Sequence, residues 1–69
     1  MKPEALKEEY EKIFDDAGYI KIKNTEQIIT FCKTISELTG IQCCDKYGNV
    51  YEYVHEVYHS ALKILEDEQ

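Results

Sequence analysis

The sequence contains no arginine and no tryptophan, and all eight of its basic residues are lysines. Arginine supplies the planar, bidentate donor that contacts phosphates and guanine edges, so its absence removes the commonest direct contact to nucleic acid. The 14 acidic residues outnumber the scattered lysines and give a formal net charge of −6. Such a charge repels phosphate and attracts basic surfaces. The composition therefore argues against direct nucleic-acid binding and predicts a basic protein partner.

Long apolar runs are also missing. No stretch approaches the roughly 18 consecutive apolar residues that a membrane-spanning helix needs. Residues 1–12 are rich in lysine and glutamate, unlike the apolar core of a secretory signal. The three cysteines are an odd number, which does not suit a disulfide framework. We therefore expect a cytoplasmic protein without membrane contact, in which Cys43 and Cys44 are half-buried residues of a loop or strand.

The residues that are present suit a small globular protein. At 69 residues, with 43% hydrophobic and 32% charged residues, the chain is expected to form one domain over residues 1–69. A core of this size is modest, so a metal, a partner or self-association would add stability. We find no internal repeat in the sequence.

The first apolar stripe recurs at three- and four-residue steps between Leu6 and Ala17, which indicates a helix. Pro3 suits the first turn of this helix, because proline lacks the N–H that the first turn cannot pair. Gly18 suits the residue after its end, where a left-handed conformation is common. The pattern predicts a helix from Pro3 to Ala17.

Residues 19–23, YIKIK, alternate apolar and charged side chains. They predict either a short strand or an extended connection whose isoleucines enter the core. The second helix is predicted to begin at a capping box formed by Asn24 and Gln27 and to end at Gly40. Its apolar face is expected to consist of Ile28, Phe31, Cys32, Ile35, Leu38 and Thr39.

Residues 41–53 fit two different structures. In the first, a loop leads to a third helix that is capped by Asn49, with Glu52 at the capping-box position. In the second, a turn from Asp45 to Asn49 joins the arms of a β-hairpin, because the flanking residues are rich in valine and tyrosine. A continuous helical stripe favours the first structure, although β-branched and aromatic residues weaken it. From His55 onward both interpretations predict helix.

These patterns predict an all-α fold, a compact three-helix domain. The alternative is an α+β fold in which a 41–53 β-hairpin and residues 19–23 form a small three-stranded sheet packed on the helices.

The last helical segment contains both histidines in an H-E-x-x-H pattern. Histidines four residues apart lie on one side of a helix, where their neutral nitrogens can bind a metal. The pattern resembles the signature of the zincin metalloproteases. That resemblance implies zinc ligation by His55 and His59, with Glu56 as the general base that deprotonates bound water. It covers residues 55–59 alone, and no histidine follows His59 to complete a zincin ligand set.

The six tyrosines exceed what so small a core needs. Tyr47, Tyr51 and Tyr53 lie off the helical stripe, and exposed tyrosine is typical of protein-binding surfaces. Together with Glu52 and Glu56 they are the predicted partner-binding residues.

The leading hypothesis is a small acidic, non-enzymatic regulator or inhibitor of a larger basic protein, without a resident cofactor. Nucleic-acid-processing and defence proteins belong to this class of partner, and small phage-encoded inhibitors share the profile. The alternative is a metal-binding domain or minimal zinc hydrolase that uses His55, Glu56 and His59. A homodimer formed through the edge of the last helix is a further hypothesis.

Overall fold

The computed structural model describes residues 1–68 and contains three helices. They are α1 (Pro3–Ile13), α2 (Thr25–Thr39) and α3 (Val54–Asp67). The Cα radius of gyration of 11.1 Å matches the roughly 11 Å expected for a compact chain of this length. The predicted all-α, three-helix fold is confirmed. Within residues 1–68 there are isolated β-bridges but no sheet, so the α+β alternative is wrong.

Both ends of α2 lie where the sequence predicts them. The Asn24 side-chain oxygen accepts a hydrogen bond from the Gln27 N–H at 3.1 Å. At the other end, Gly40 has φ 76° and donates its N–H to the Ser36 carbonyl oxygen at 2.8 Å. Each cap needs only a few neighbouring residues, which is why the sequence is sufficient to place it.

Helix α1 ends at Ile13, short of its predicted end, and Gly18 is therefore not its C′ residue. Asp15 accounts for the difference. Its carboxylate oxygen accepts hydrogen bonds from the backbone N–H groups of Ala17 and Tyr19, each at 2.9 Å. These local bonds offer the backbone an alternative to another helical turn.

The predicted capping of α3 by Asn49 is also wrong, because the helix begins at Val54. The turn from Asp45 to Asn49, which the hairpin interpretation placed here, is present. Asp45 Oδ1 accepts from the N–H groups of Tyr47 and Asn49 at 2.8 and 3.0 Å. The Asn49 amide donates to the other Asp45 oxygen at 2.9 Å, so its side chain serves the turn instead of a helix.

The strand predicted for residues 19–23 does not form. The one bridge of this segment pairs Ile20 with Phe14. Ile22 is half-buried and packs against the core, but Ile20 remains 41% exposed. The expectation that both isoleucines enter the core is therefore correct for Ile22 alone.

All three helices contribute to one core, in which α2 and α3 form the largest contact. Aromatic rings link α1 to the other two helices: Tyr10 stacks on Tyr58 with ring centroids 4.0 Å apart and lies 6.2 Å from Phe31. Every buried side-chain nitrogen or oxygen among residues 1–68 has a hydrogen-bond partner. The core of this part of the chain is thus apolar, and its buried side-chain polar atoms are all hydrogen-bonded.

The three cysteines are free thiols and all are buried, more deeply than the half-burial predicted for Cys43 and Cys44. Burial raises the pKa of Cys32, and the neighbouring Cys44 thiol raises it further. Burial also raises the pKa of Cys43. Since the thiolate is the reactive form, Cys32 and Cys43 behave as core side chains.

The chain leaves α1 through a tight turn, here called the first hairpin (residues 13–21). Two backbone hydrogen bonds pair its arms: Asp15 N–H donates to the Tyr19 carbonyl oxygen, and Lys21 N–H donates to the Ile13 carbonyl oxygen, each at 2.8 Å. This is the smallest unit of antiparallel pairing, with one residue pair between two hydrogen bonds.

The second hairpin (residues 43–51) follows α2 and has the same bonds. Asp45 N–H donates to the Asn49 carbonyl oxygen at 3.1 Å, and Tyr51 N–H donates to the Cys43 carbonyl oxygen at 2.8 Å. Every donor and acceptor lies 30 positions after its counterpart in the first hairpin.

Both hairpins share the sequence pattern D-x-x-G, at residues 15–18 and 45–48. In each, the aspartate carboxylate bonds to the N–H groups two and four residues later, as described above. Gly18 and Gly48 adopt φ 88° and 86° and donate their N–H groups to the aspartate carbonyl oxygen. A hairpin loop of this length needs a left-handed residue at that point, and glycine adopts that conformation without strain.

The same offset of 30 relates α2 to α3. Each of the four buried residues of α2 corresponds to a buried residue of α3, which has two more, Val54 and Val57. Residues 13–38 and 43–68 are therefore two similar hairpin–helix units, and α1 lies outside them. The helical half of this similarity is hidden in the sequence, because the paired core positions share burial but not identity. The pairs are Ile28 with Tyr58, Phe31 with Ala61, Cys32 with Leu62, and Ile35 with Leu65.

The two units exchange their hairpins. Gly18 of the first hairpin lies against the His55 ring at the start of α3. Gly48 of the second hairpin lies against Thr25 at the start of α2, the position equivalent to His55. Such reciprocal contacts characterise a two-fold arrangement. Each helix thus begins beneath the other unit's hairpin.

Candidate functional site

A shallow groove of about 380 Å³ lies between the second arm of the first hairpin (residues 19–21) and the segment that leads into α3. Ile20 and Val50, which occupy equivalent positions in the two units, both line it. We call it the hairpin groove. Its lining residues are Phe14, Gly18, Tyr19, Ile20, Val50, Tyr51, Glu52, Val54 and His55.

Large apolar side chains are exposed along the hairpin groove. Tyr19 is 73% exposed, Ile20 41% and Tyr51 38%. The ring of Tyr53, also exposed, lies 5.5 Å from that of Tyr51, and its hydroxyl donates to the Gln42 carbonyl oxygen at 2.8 Å. A cluster of exposed apolar side chains on a small domain marks a contact surface, whereas isolated ones do not.

The predicted partner-binding residues do not form a single group. Tyr51 and Glu52 line the hairpin groove, and Tyr53 lies beside it. Tyr47 is exposed at the tip of the second hairpin, where Lys46 Nζ lies 5.2 Å from its ring centroid. Tyr47 and Glu56 are not part of the groove lining. The structure therefore brings together only part of the predicted set.

Tyr19 and Ile20 belong to the groove but were not among the predicted partner-binding residues. The alternation in residues 19–23 predicts that Ile20 lies either on a short strand or in a connection whose isoleucines enter the core. The repeated D-x-x-G pattern was the signal that could have corrected this. It indicates that Ile20, like Val50, immediately follows a tight turn at the surface.

The imidazole of His55 is held between α1 and the first hairpin. Its Nδ1 lies 2.8 Å from the Tyr10 hydroxyl, and its ring centroid lies 5.1 Å from that of Phe14. A Cβ built on Gly18 would lie 3.3 Å from Nε2, so the hairpin backbone passes close to that nitrogen. Both ring nitrogens thus face protein groups.

Burial raises the pKa of Tyr10, and the negative charge of Asp15 raises it further. The Tyr10 hydroxyl therefore stays protonated at neutral pH. When it donates to His55 Nδ1, the neutral imidazole carries its proton on Nε2.

His59 is exposed, with its ring 5.2 Å from that of Tyr58, and Glu56 is also exposed. Among residues 1–68, no group of three or more histidine, cysteine, aspartate or glutamate side chains is arranged to hold a metal ion. Zinc binding by His55 and His59, with Glu56 as base, stays a prediction. One of the two ring nitrogens that His55 could offer to a metal, Nδ1, is already bonded to the Tyr10 hydroxyl.

No family model matches this chain, and neither the curated proteins nor the solved structures include a significant match. Within residues 1–68, none of the helices combines the length and apolarity required to cross a bilayer. Function is therefore inferred from the chain's own surface.

Proposed function

We propose that this chain is a non-enzymatic interaction domain that docks its hairpin groove on a larger protein and regulates or inhibits it. One observation carries the proposal: the exposed side chains of Tyr19, Ile20 and Tyr51 gather on one groove. Aromatic anchors of this kind dominate the energy of protein–protein contacts.

The charge of the chain supports a basic partner. A formal net charge of −6 attracts positive surfaces and speeds the diffusional encounter with them. Nucleic-acid-processing enzymes and defence proteins carry such surfaces because they bind phosphate backbones. An acidic domain that covers such a surface would inhibit its owner by occupying the nucleic-acid site.

Two isoleucines provide a matched test. Ile20 lines the hairpin groove and is 41% exposed, whereas Ile41 is 44% exposed and lies outside the groove lining. Ile20→Lys and Ile41→Lys therefore make the same chemical change at similar exposure. We expect a protein from the source organism's lysate to be retained by wild type and by Ile41→Lys, and lost with Ile20→Lys. Circular dichroism and thermal melting verify that both variants fold.

Salt tests the electrostatic part of the proposal. Raising the ionic strength from about 50 mM to about 500 mM shortens the screening length from roughly 14 to roughly 4 Å and should slow association with the captured protein. Surface plasmon resonance measures the association rate. A complex that forms equally fast at both salt concentrations contradicts the basic partner. Equal retention by the two lysine variants contradicts the hairpin groove as the docking site.

A further inference from the structure

A cavity of about 290 Å³ lies between α2 and the second hairpin, and Cys32 and Cys44 both line it. Cys32 belongs to α2 and Cys44 to the second hairpin, and the two residues are 3% and 5% exposed. Burial raises the pKa of Cys32, and the neighbouring Cys44 thiol raises it further. A neighbouring group has such an effect only at close range, so the two thiols are adjacent. We call them the thiol pair.

The third cysteine is not part of this arrangement. Cys43 is fully buried, donates its thiol hydrogen to the Ile41 carbonyl oxygen at 3.8 Å, and does not line the cavity. Asp45 lines the cavity, but its carboxylate accepts from the N–H groups of Tyr47 and Asn49. In the part of the chain that the structure describes, no three thiol, imidazole or carboxylate groups are placed to hold one metal ion together. The candidate ligand set is therefore the thiol pair alone.

Packing by itself does not require cysteine at either position. The equivalent residues, 30 positions away, are Phe14 for Cys44 and Leu62 for Cys32. Both lie in the same core. A core accepts several residue types of suitable volume at such positions. The thiol pair therefore has a chemical capacity that its counterpart in the other half of the domain lacks.

We propose that Cys32 and Cys44 bind one Cu(I) ion between their two sulfur atoms. Thiolate sulfur is a soft ligand that selects Cu(I), and Cu(I) accepts a linear arrangement of two such ligands. Zinc, by contrast, takes four ligands, which this pair does not supply. Binding replaces two S–H bonds by two S–Cu bonds and releases two protons, and no electron is transferred.

The charges around the cavity suit this complex. One Cu(I) ion and two thiolates carry a single negative charge together. Lys33 and Lys46 line the same cavity, and their ammonium groups favour a negative charge there. Without the metal, burial keeps Cys32 protonated, because desolvation disfavours the thiolate. The thiols thus remain unreactive core groups until a metal with high affinity for sulfur displaces their protons.

Alanine variants of the three cysteines test the site, with Cys43→Ala as the matched control. The probe is Cu(I), kept reduced under anaerobic conditions and titrated in competition with a chromogenic Cu(I) chelator. We expect wild type and Cys43→Ala to bind one ion per chain. Since loss of an outer-shell partner alone weakens metal binding about 10–100-fold, Cys32→Ala and Cys44→Ala should each weaken it at least roughly a hundredfold. Equal affinity of the three variants overturns the proposal.

Thermal melting shows whether the metal binds the folded chain. A ligand that binds the native state raises the melting temperature, whereas a metal that binds cysteines of the unfolded chain reduces or reverses this gain. We expect Cu(I) to raise the melting temperature of wild type and Cys43→Ala. A fall in wild type would place the metal on the unfolded chain and overturn the proposal.

NMR of wild type tests the same site without any substitution that could prevent folding. Cu(I) should shift the Cβ resonances of Cys32 and Cys44 and shift that of Cys43 less. If the Cys32 resonance does not move, the ion does not bridge α2 and the second hairpin, and the proposed site is wrong. The site is separate from the hairpin groove, so neither result bears on docking there.

Discussion

The imidazole of His55 ties three elements together at the scale of single residues. It contacts α1 through the Tyr10 hydroxyl and the first hairpin through Phe14 and Gly18, while it belongs to α3. His59, one turn later, is exposed and contacts the Tyr58 ring. Two histidines that look alike in the sequence therefore have different roles, and substitution should separate them.

His55→Ala should lower the free energy of unfolding by about 1–3 kcal/mol, because it removes the bond to Tyr10 and the packing on Phe14. His59→Ala should change it by less than about 0.5 kcal/mol, as expected for an exposed position. Urea unfolding followed by circular dichroism measures both. Added zinc should leave the wild-type unfolding midpoint unchanged. A zinc-dependent gain in wild type that both variants lose would instead support the metal-binding alternative.

At the scale of elements, the two hairpins decide where the helices end and begin. Each combines an aspartate that binds two backbone N–H groups with a left-handed glycine three residues later. This turn stops α1 at Ile13 and delays α3 to Val54. The glycines also pack against the other unit's helix, so they have a tertiary role that Gly40 lacks.

Gly40 and Gly48 should therefore differ in their tolerance of alanine. A Cβ at residue 40 would have no other atom within 4 Å. Gly40→Ala should therefore lower the free energy of unfolding only by the cost of a left-handed backbone, about 1–2 kcal/mol. Gly48→Ala should cost more in urea unfolding, because its Cβ would lie 2.7 Å from Thr25 Cγ2. Thr25→Ser removes that methyl group and should restore part of the loss in the double variant. Equal costs at Gly40 and Gly48 would show that the contact with α2 is unimportant.

At the scale of the whole molecule, excess negative charge opposes folding. The chain carries a formal net charge of −6. In the described part of the chain, the one ion pair is Lys12 with Glu9 at 3.5 Å, on the exposed face of α1. Surface pairs of this kind contribute little to stability. Repulsion among carboxylates therefore outweighs attraction.

Moderate salt should consequently stabilise the isolated domain. Raising sodium chloride from about 20 mM to about 300 mM screens the repulsion and should increase the free energy of unfolding by up to about 1 kcal/mol. Thermal melting and urea unfolding at both concentrations measure the change. A loss of stability with salt would mean that attractive ion pairs dominate. The same salt should weaken partner binding, so opposite responses of folding and docking are expected.

The hypothesis of a homodimer belongs to this scale as well. The apolar face of α3 is covered by α1 and α2, so the last helix leaves no complete apolar stripe to pair with a copy. The exposed apolar side chains lie mainly on the hairpins. Sedimentation at several concentrations tests self-association.

The sequence by itself determined the features that depend on near neighbours. The all-α, three-helix fold follows from three apolar stripes, and both caps of α2 follow from Asn24 and Gly40. The net charge follows directly from the composition. The exposure of Tyr47, Tyr51 and Tyr53 could also be predicted, because these residues lie off the apolar stripe.

Only the tertiary structure decided the rest. Nothing local indicates that Gly18 must lie on His55 or Gly48 on Thr25, since each pair is brought together by the exchange of hairpins between the two units. The same exchange places the first hairpin against His55, the first histidine of the metalloprotease-like pattern. It also places Ile20 and Val50, 30 residues apart, on the two sides of one groove. Equivalent core positions of the two units are both buried but hold different residues. A core requires apolar volume at a position and accepts several residue types there.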